Sequence, residues 1–325
     1  MFTIGATEGR AGTGAEPPFD AAILDDALLR HSDPDRARAV FIMGAPRTGS
    51  TVLYQAMINA FGFPFISNLV NTCFASTPII GIAIQSHVDV VVGFESAFGK
   101  TEGAFQPSEG SAVMTHWFGG GHPSETLSAG ILAGREAHFL KTLAAAEAIW
   151  GAPLLIKNAW NCFRIRDLAE AISKASFIWI RRDIRDAALS DLEARYLTKG
   201  NPFAWNSATP ANYLELLQRP PPEQVVENQF AFNEAISSAL GRHARGRSLE
   251  VWYEDLVAEP HTVLARIGSF VAVPQGVQAP ARINSRDARL RSAVSAIEAQ
   301  QLHDYVQSRP ERFSSHTYLS RKDPE

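Results

Sequence analysis

Val40-Phe41-Ile42-Met43-Gly44-Ala45-Pro46-Arg47-Thr48-Gly49-Ser50-Thr51-Val52-Leu53 decides how the rest of the chain is read. An apolar run stops at a glycine-bounded loop rich in hydroxyls, and an amphipathic segment, 52–60, follows at once. The order is strand, loop, helix. Backbone N–H groups at such a helix start lack intrahelical partners and favour a bound anion. The Gly-x4-Gly spacing matches a Walker A loop, but Ser50 stands where that motif has its lysine, and the cation, Arg47, lies inside the loop. A nucleoside triphosphatase is therefore weakly supported.

A second stretch answers the first about 130 residues later. Ser176-Phe177-Ile178-Trp179-Ile180-Arg181-Arg182 is a short apolar run ending in two arginines, and Asp183-Ile184-Arg185-Asp186-Ala187-Ala188-Leu189-Ser190 follows. An arginine at a strand end offers a planar fork of donors to a phosphate. Ser190, two turns into the next helix, adds a hydroxyl donor. Taken alone, the arginine pair reads first as a surface ion pair with Asp183 or Asp186; its spacing from the first loop reverses that preference.

Residues 44–51 closely resemble the phosphosulfate-binding loop of sulfotransferases that use 3′-phosphoadenosine 5′-phosphosulfate (PAPS), whose usual form is Pro-Lys/Arg-Ser/Thr-Gly-Thr/Ser-Thr. Residues 182–190 resemble the second motif of that family, Arg-x-Pro-x-Asp-x-x-x-Ser, with Ile184 in place of the proline. Val251-Trp252-Tyr253-Glu254-Asp255-Leu256, before Glu259-Pro260 and an apolar helix to Phe270, resembles the Tyr-Glu-Asp-Leu segment of many members and reads as a structural brace. Residues 93–109 resemble a stretch of bacterial glycan-type sulfotransferases, which favours that branch over the cytosolic type. Ser320-Arg321-Lys322-Asp323 is similar to the Arg-Lys-Gly segment of the cytosolic enzymes but lacks its glycine, and reads better as a solvated charged tail. The resemblance spans roughly residues 38–272.

The resemblance implies a P-loop-type α/β fold, a three-layer sandwich with a central parallel β-sheet flanked by helices. It implies transfer of the sulfonate of PAPS to a hydroxyl, or an amine, of a small-molecule, glycan or lipid acceptor, with release of 3′-phosphoadenosine 5′-phosphate (PAP). Arg47, Thr48, Gly49, Ser50 and Thr51 would hold the 5′-phosphate and sulfonate, and Arg182 and Ser190 the 3′-phosphate. Arg47 replaces the common lysine; it keeps the charge and would stabilise the leaving phosphate electrostatically. The acceptor proton needs a base, which in the family is His or Glu at differing positions. Glu109 is the first choice and His116 the second, each weighed against a surface carboxylate or a satisfied histidine; His122, in a Gly-Gly-Gly-His-Pro loop, is a weaker catalytic or substrate-binding candidate. Lys157, in Ile-Lys-Asn at a strand end, reads as a substrate- or sulfonate-binding residue against the alternative of a snorkelling surface lysine.

Composition bounds the remaining possibilities. The 325 residues are 46% hydrophobic and 20% charged, ordinary for a globular enzyme. A net charge of −4 gives no overall basic field for nucleic acid. Two cysteines, Cys73 and Cys162, make neither a disulfide framework nor a metal site and read as buried thiols. The start lacks the pattern of a signal peptide, and the longest apolar stretch, 78–92, carries Gln85, His87 and Asp89, too polar to span a bilayer. A cytoplasmic location is the expectation; the oligomeric state stays open, a homodimer included.

Residues 1–20 read as a flexible tail, and 21–325 as a single domain with substrate-shaping insertions at about 71–150 and 197–222. A short helix is expected over 19–31, with Leu24, Leu28 and Leu29 on its apolar side. Strands are expected at 39–44, 65–70, 153–157, 176–181 and 248–252, with helices over 163–174 and 184–198. Short apolar strands between helices indicate a parallel sheet covered on both faces, whose ligands bind at the carboxyl ends of the strands. Two other readings remain: a P-loop nucleotide kinase or phosphotransferase, and a non-catalytic nucleotide-binding protein.

Overall fold

Alternation along the first strand sets the architecture. In the computed structural model, which describes residues 20–94, 100–120, 130–206, 208–273, 293–313 and 318–319, α1 (Ala21–Leu29) precedes β1 (Arg38–Met43), and α2 (Ser50–Phe61) follows the glycine-bounded loop. Ala39, Phe41 and Met43 enter one apolar core, while Val40 and Ile42 enter another. The strand is thus buried on both faces, as a central parallel strand must be.

Among the described residues four helices come next: α3 (Asn68–Cys73), α4 (Pro78–Gln85), α5 (Ser111–Phe118) and α6 (Glu136–Trp150). After them β2 (Leu154–Lys157) leads through a 3₁₀ turn, Ala159–Phe163, to α7 (Ile165–Ala171), and β3 (Lys174–Arg181) to α8 (Ile184–Lys199). A short α9 (Tyr213–Leu216) and the long α10 (Pro221–His243) precede β4 (Ser248–Trp252), α11 (Tyr253–Ala258), α12 (Pro260–Val271) and α13 (Ala296–Gln307). The sheet is parallel throughout, in the order β2-β1-β3-β4. On one face Phe41 stacks on Phe177, ring centroids 5.5 Å apart, over a core shared with α5, α6, α7 and α10. On the other, Val40, Ile42, Ile178, Ile180 and Val251 meet α2 and α12. Helices, sheet and helices make the expected three layers.

The strand order locates the site. The chain leaves β1 for β2 on one side, whereas it leaves β3 for β4 on the other. The crevice between the ends of β1 and β3 is therefore the topological switch point, where open α/β sheets bind ligands. The loop 44–49 and the Arg182-Asp183 turn border it from its two sides.

Several expectations change. Residues 65–70 are not a strand: Phe65 makes one isolated bridge to Leu155, and Ser67 then caps α3 by accepting from the Val70 N–H at 3.3 Å. An apolar run that reaches an N-capping serine turns into a helix before it can pair further. In α1 the buried residues are Asp25 and Leu29, while Leu24 is exposed, because Asp25 turns inward to His138. The helix expected over 163–174 is shorter, since Lys174 already begins β3. Cys162 is buried but Cys73, in the last turn of α3, is exposed. Residues 71–150, expected as an insertion, hold α4, α5 and α6, which help cover one face of the sheet. Among the described residues no helix is long and apolar enough to cross a membrane.

Candidate active site

The loop after β1 is held by its carbonyls. Ala45 O accepts from the Thr48 hydroxyl at 2.7 Å, Pro46 O from Gln229 Nε2 at 2.7 Å, and Arg47 O from Arg182 Nη1 at 3.0 Å. Arg47 takes a left-handed conformation (φ 68°), rare outside glycine, and Gly49 does so as well (φ 87°). A Cβ on Gly49 would lie 2.3 Å from Cδ2 of Tyr253, so glycine is required twice over there, by its backbone and by the ring on it. Gly49 is the N-cap of α2 and offers no side-chain cap, which leaves the first-turn N–H groups to an anion. Thr48 is fully buried with its hydroxyl spent on Ala45, so it shapes the loop, while Ser50 and Thr51 are half-buried at the helix start.

The two arginines ending β3 have opposite surroundings. Arg181 is buried between the Trp179 and Trp252 rings, 4.7 Å from each, and pairs with Glu250 at 2.8 Å. Arg182 instead lies over the Tyr253 ring at 4.7 Å and reaches the loop carbonyl of Arg47. Arg47 Nε in turn donates to Ser190 Oγ at 3.2 Å. Loop, β3 end and α8 thus bring Arg47, Arg182 and Ser190 together. Asp183 caps α8 through the Arg185 N–H at 2.9 Å, and its own N–H donates to Glu254 Oε1 at 3.0 Å. Burial holds the Glu254 carboxyl above the usual carboxylate range, against the opposing pull of the Asp183 N–H and Arg182. The Tyr-Glu-Asp segment is the brace its sequence suggests: Tyr253 backs Gly49 and Arg182, and Glu254 ties the β3 turn.

A second group gathers at the end of β2. Lys157, buried and in register with Ile42 of β1, pairs with the Glu109 carboxylate, and Asn158 Nδ2 donates to Glu109 O at 3.0 Å. Gly110 (φ 65°) then turns the chain into α5. Cys162 links this group to the loop: its sulfur lies 3.4 Å from Gly44 N, and both Lys157 and Glu109 act on its thiol. Burial pushes that thiol up to about 12, so it is no nucleophile near neutral pH.

The histidines lie elsewhere or cannot be placed. His116, in the last turn of α5, contacts Arg135 at 3.3 Å and stacks edge-on against His138, ring centroids 5.4 Å apart. Trp117 Nε1 donates to His138 Nδ1, which leaves His138 Nε2 to donate to Asp25 at 3.0 Å. These contacts join His116 to α1 and α6 rather than to the loop. His122 and the 320–323 segment lie outside the described residues. Gln229 was not anticipated, and nothing local marks it: it is 183 residues from the carbonyl it meets.

Comparison with known proteins shows the family. The model of the sulfotransferase family matches residues 39–276, well over half of the chain. Among solved structures, sulfotransferase STF1 from Mycobacterium tuberculosis H37Rv is 14% identical, with 91% of this chain and 83% of that one covered and a TM-score of 0.50. Sulfotransferase STF9 from Mycobacterium avium is 15% identical, with 89% and 80% covered and a TM-score of 0.47. At such identities the likeness speaks to the fold alone. No curated protein matches the sequence.

Proposed function

The chain belongs to the sulfotransferase family, and we propose that it transfers the sulfonate of PAPS to a hydroxyl, or an amine, of a small-molecule, glycan or lipid acceptor, releasing PAP. The observation that carries this reading is the meeting of Arg47, Arg182 and Ser190 at the switch point, from motifs 135 residues apart. A donor with phosphates at both the 3′ and 5′ positions needs two anion sites in one crevice. The uncapped α2 start and the two guanidiniums suit such a ligand.

In this reading the N–H groups of Gly49, Ser50 and Thr51 hold the 5′-phosphate end, and Arg182 and Ser190 hold the 3′-phosphate. The donor supplies the sulfonate and leaves as the phosphate. Arg47 meets the charge that grows on that phosphate as the S–O bond breaks, and it does so without giving up a proton. Glu109 takes the acceptor proton as the new bond to sulfur forms, and Lys157 orients its carboxylate. His116 is the second candidate for the base, and its contacts with Arg135 and His138 argue for Glu109.

Calorimetry with PAP and ADP tests the donor. A charge-assisted contact to the 3′-phosphate is worth about 1.5–3 kcal/mol, so PAP should bind roughly 10- to 150-fold tighter than ADP. Arg182→Ala should erase most of that preference. Equal affinities in the wild type would overturn the assignment.

A further inference from the structure

Of the three side chains that meet consecutive loop carbonyls, two belong to the motifs themselves. Thr48 sits in the loop and Arg182 at the end of β3. The third, Gln229, comes from the middle of α10 and is fully buried. Its Nε2 donates to Pro46 O at 2.7 Å, its main-chain carbonyl accepts from Asn233 Nδ2 at 2.8 Å, and its Oε1 meets no hydrogen-bond partner among the described residues. A buried amide is costly unless its hydrogen bonds are made. Around it α10 packs with Val225, Val226, Phe232 and Ile236, all fully buried. Among these side chains Gln229 is the one that meets a carbonyl of the loop after β1.

Peptide planarity gives that bond its consequence. The carbonyl of Pro46 and the N–H of Arg47 share one plane and point in opposite directions. Fixing the carbonyl toward α10 therefore fixes the N–H of Arg47 toward the other side. It also helps hold Arg47 in its left-handed conformation, which a non-glycine residue otherwise avoids.

We infer that Gln229 is a positioning residue of the anion loop: by holding the Pro46 carbonyl it turns the Arg47 peptide and the N–H groups after it toward the 5′-phosphate of the nucleotide. The inference rests on the proposed donor site. It assigns no contact with the ligand to Gln229 itself.

Two probes separate positioning from general support. PAP carries both phosphates, whereas adenosine 3′-monophosphate engages only Arg182 and Ser190. Calorimetry on Gln229→Leu should show PAP weakened about tenfold or more, since a buried carbonyl loses its donor, with adenosine 3′-monophosphate weakened less than about threefold. Gln229→Glu keeps the shape without the amide donor and should repeat the pattern. Unchanged PAP affinity in both variants overturns the inference. So does an equal loss for the two nucleotides, or failure of both variants to fold, either of which marks a merely structural side chain. A wild type that binds no PAP overturns the donor reading and this inference with it; a wild type that binds PAP beside indifferent variants overturns the inference alone.

Discussion

The ends of β3 and β2 lie on the same edge of the sheet and are built by different rules. At the β1–β3 crevice the ties come from several elements of the fold. Three loop carbonyls each have a side-chain donor, Tyr253 backs both Gly49 and Arg182, and Glu254 anchors the turn into α8. At the end of β2 an ion pair, Lys157 with Glu109, and an amide, Asn158, tie the Glu109 turn to the strand, with Cys162 reaching the loop at Gly44. The lysine side chain is 8% exposed, but that of Glu109 is 32% exposed. The first arrangement suits a ligand of fixed shape and charge, which gains affinity when its donors are preorganised. The second suits a group that must exchange a proton with a variable partner and so keeps one side open.

Glu109→Gln is the substitution that can break this comparison most decisively. The amide keeps the shape of the carboxylate but cannot take a proton. Transfer should fall by about 10²–10⁴, with PAP affinity changed less than about threefold. Single-turnover assays with labelled PAPS and pooled glycan, phenol and lipid acceptors, beside PAP calorimetry, read the two quantities. A Gln variant that transfers normally would move the base away from the end of β2.

Arg47→Ala tests the other end, and a smaller loss is expected. Removing one preorganised charge from the leaving phosphate should lower turnover about 10²-fold. PAPS binding should weaken by less than about tenfold, because the charge on that phosphate grows only as the S–O bond breaks. Equal losses in binding and turnover would make Arg47 an ordinary ground-state ligand. Activity abolished by EDTA and restored by Mg²⁺ would favour the phosphotransferase reading instead.

How much of this was legible in the sequence differs between the same two regions. The crevice was written locally: β1 and β3 are continuous apolar runs, and their motifs end where the strands end. Even the division of labour between Arg181 and Arg182 followed from motif spacing, although the tryptophans and Glu250 that occupy Arg181 did not. The α10 side was illegible. Its buried face mixes Gln224, Asn228, Gln229 and Asn233 with apolar residues, so no apolar stripe announces a core helix. Gln229 meets the carbonyl of Pro46 across the fold, whereas Gln224 and Asn233 donate to carbonyls close by in sequence, Arg219 O and Gln229 O. Residues 65–70 failed the other way, where a genuinely buried apolar run makes two isolated bridges, Phe65 to Leu155 and Ser67 to Pro107, and then a helix. Resemblance singles out Glu109 as a candidate and its place at a strand end singles out Lys157; nothing in the sequence joins the two, which the structure pairs.

His116 offers the smallest effect and the control for both regions. Burial lowers its pKa below the ordinary histidine value, as do the charges of Arg135 and His138, while Asp25 opposes them. The folded protein therefore resists protonating a ring that the unfolded chain protonates freely below about pH 6.5. Where the unfolded state binds more protons, stability rises with pH. This ring should thus lower stability as the pH drops below that value, and have no effect above it. His116→Gln should flatten the fall in Tm between about pH 7 and pH 5, by no more than about 3 °C. Parallel thermal melts of the two proteins measure the slopes, and a slope unchanged or steeper in the variant would refute the account. Run beside Glu109→Gln in the transfer assay, the same variant also decides between the two candidate bases. If His116→Gln loses transfer and Glu109→Gln does not, the proton leaves by way of α5 and the cluster around Asp25, and the end of β2 becomes a binding site only.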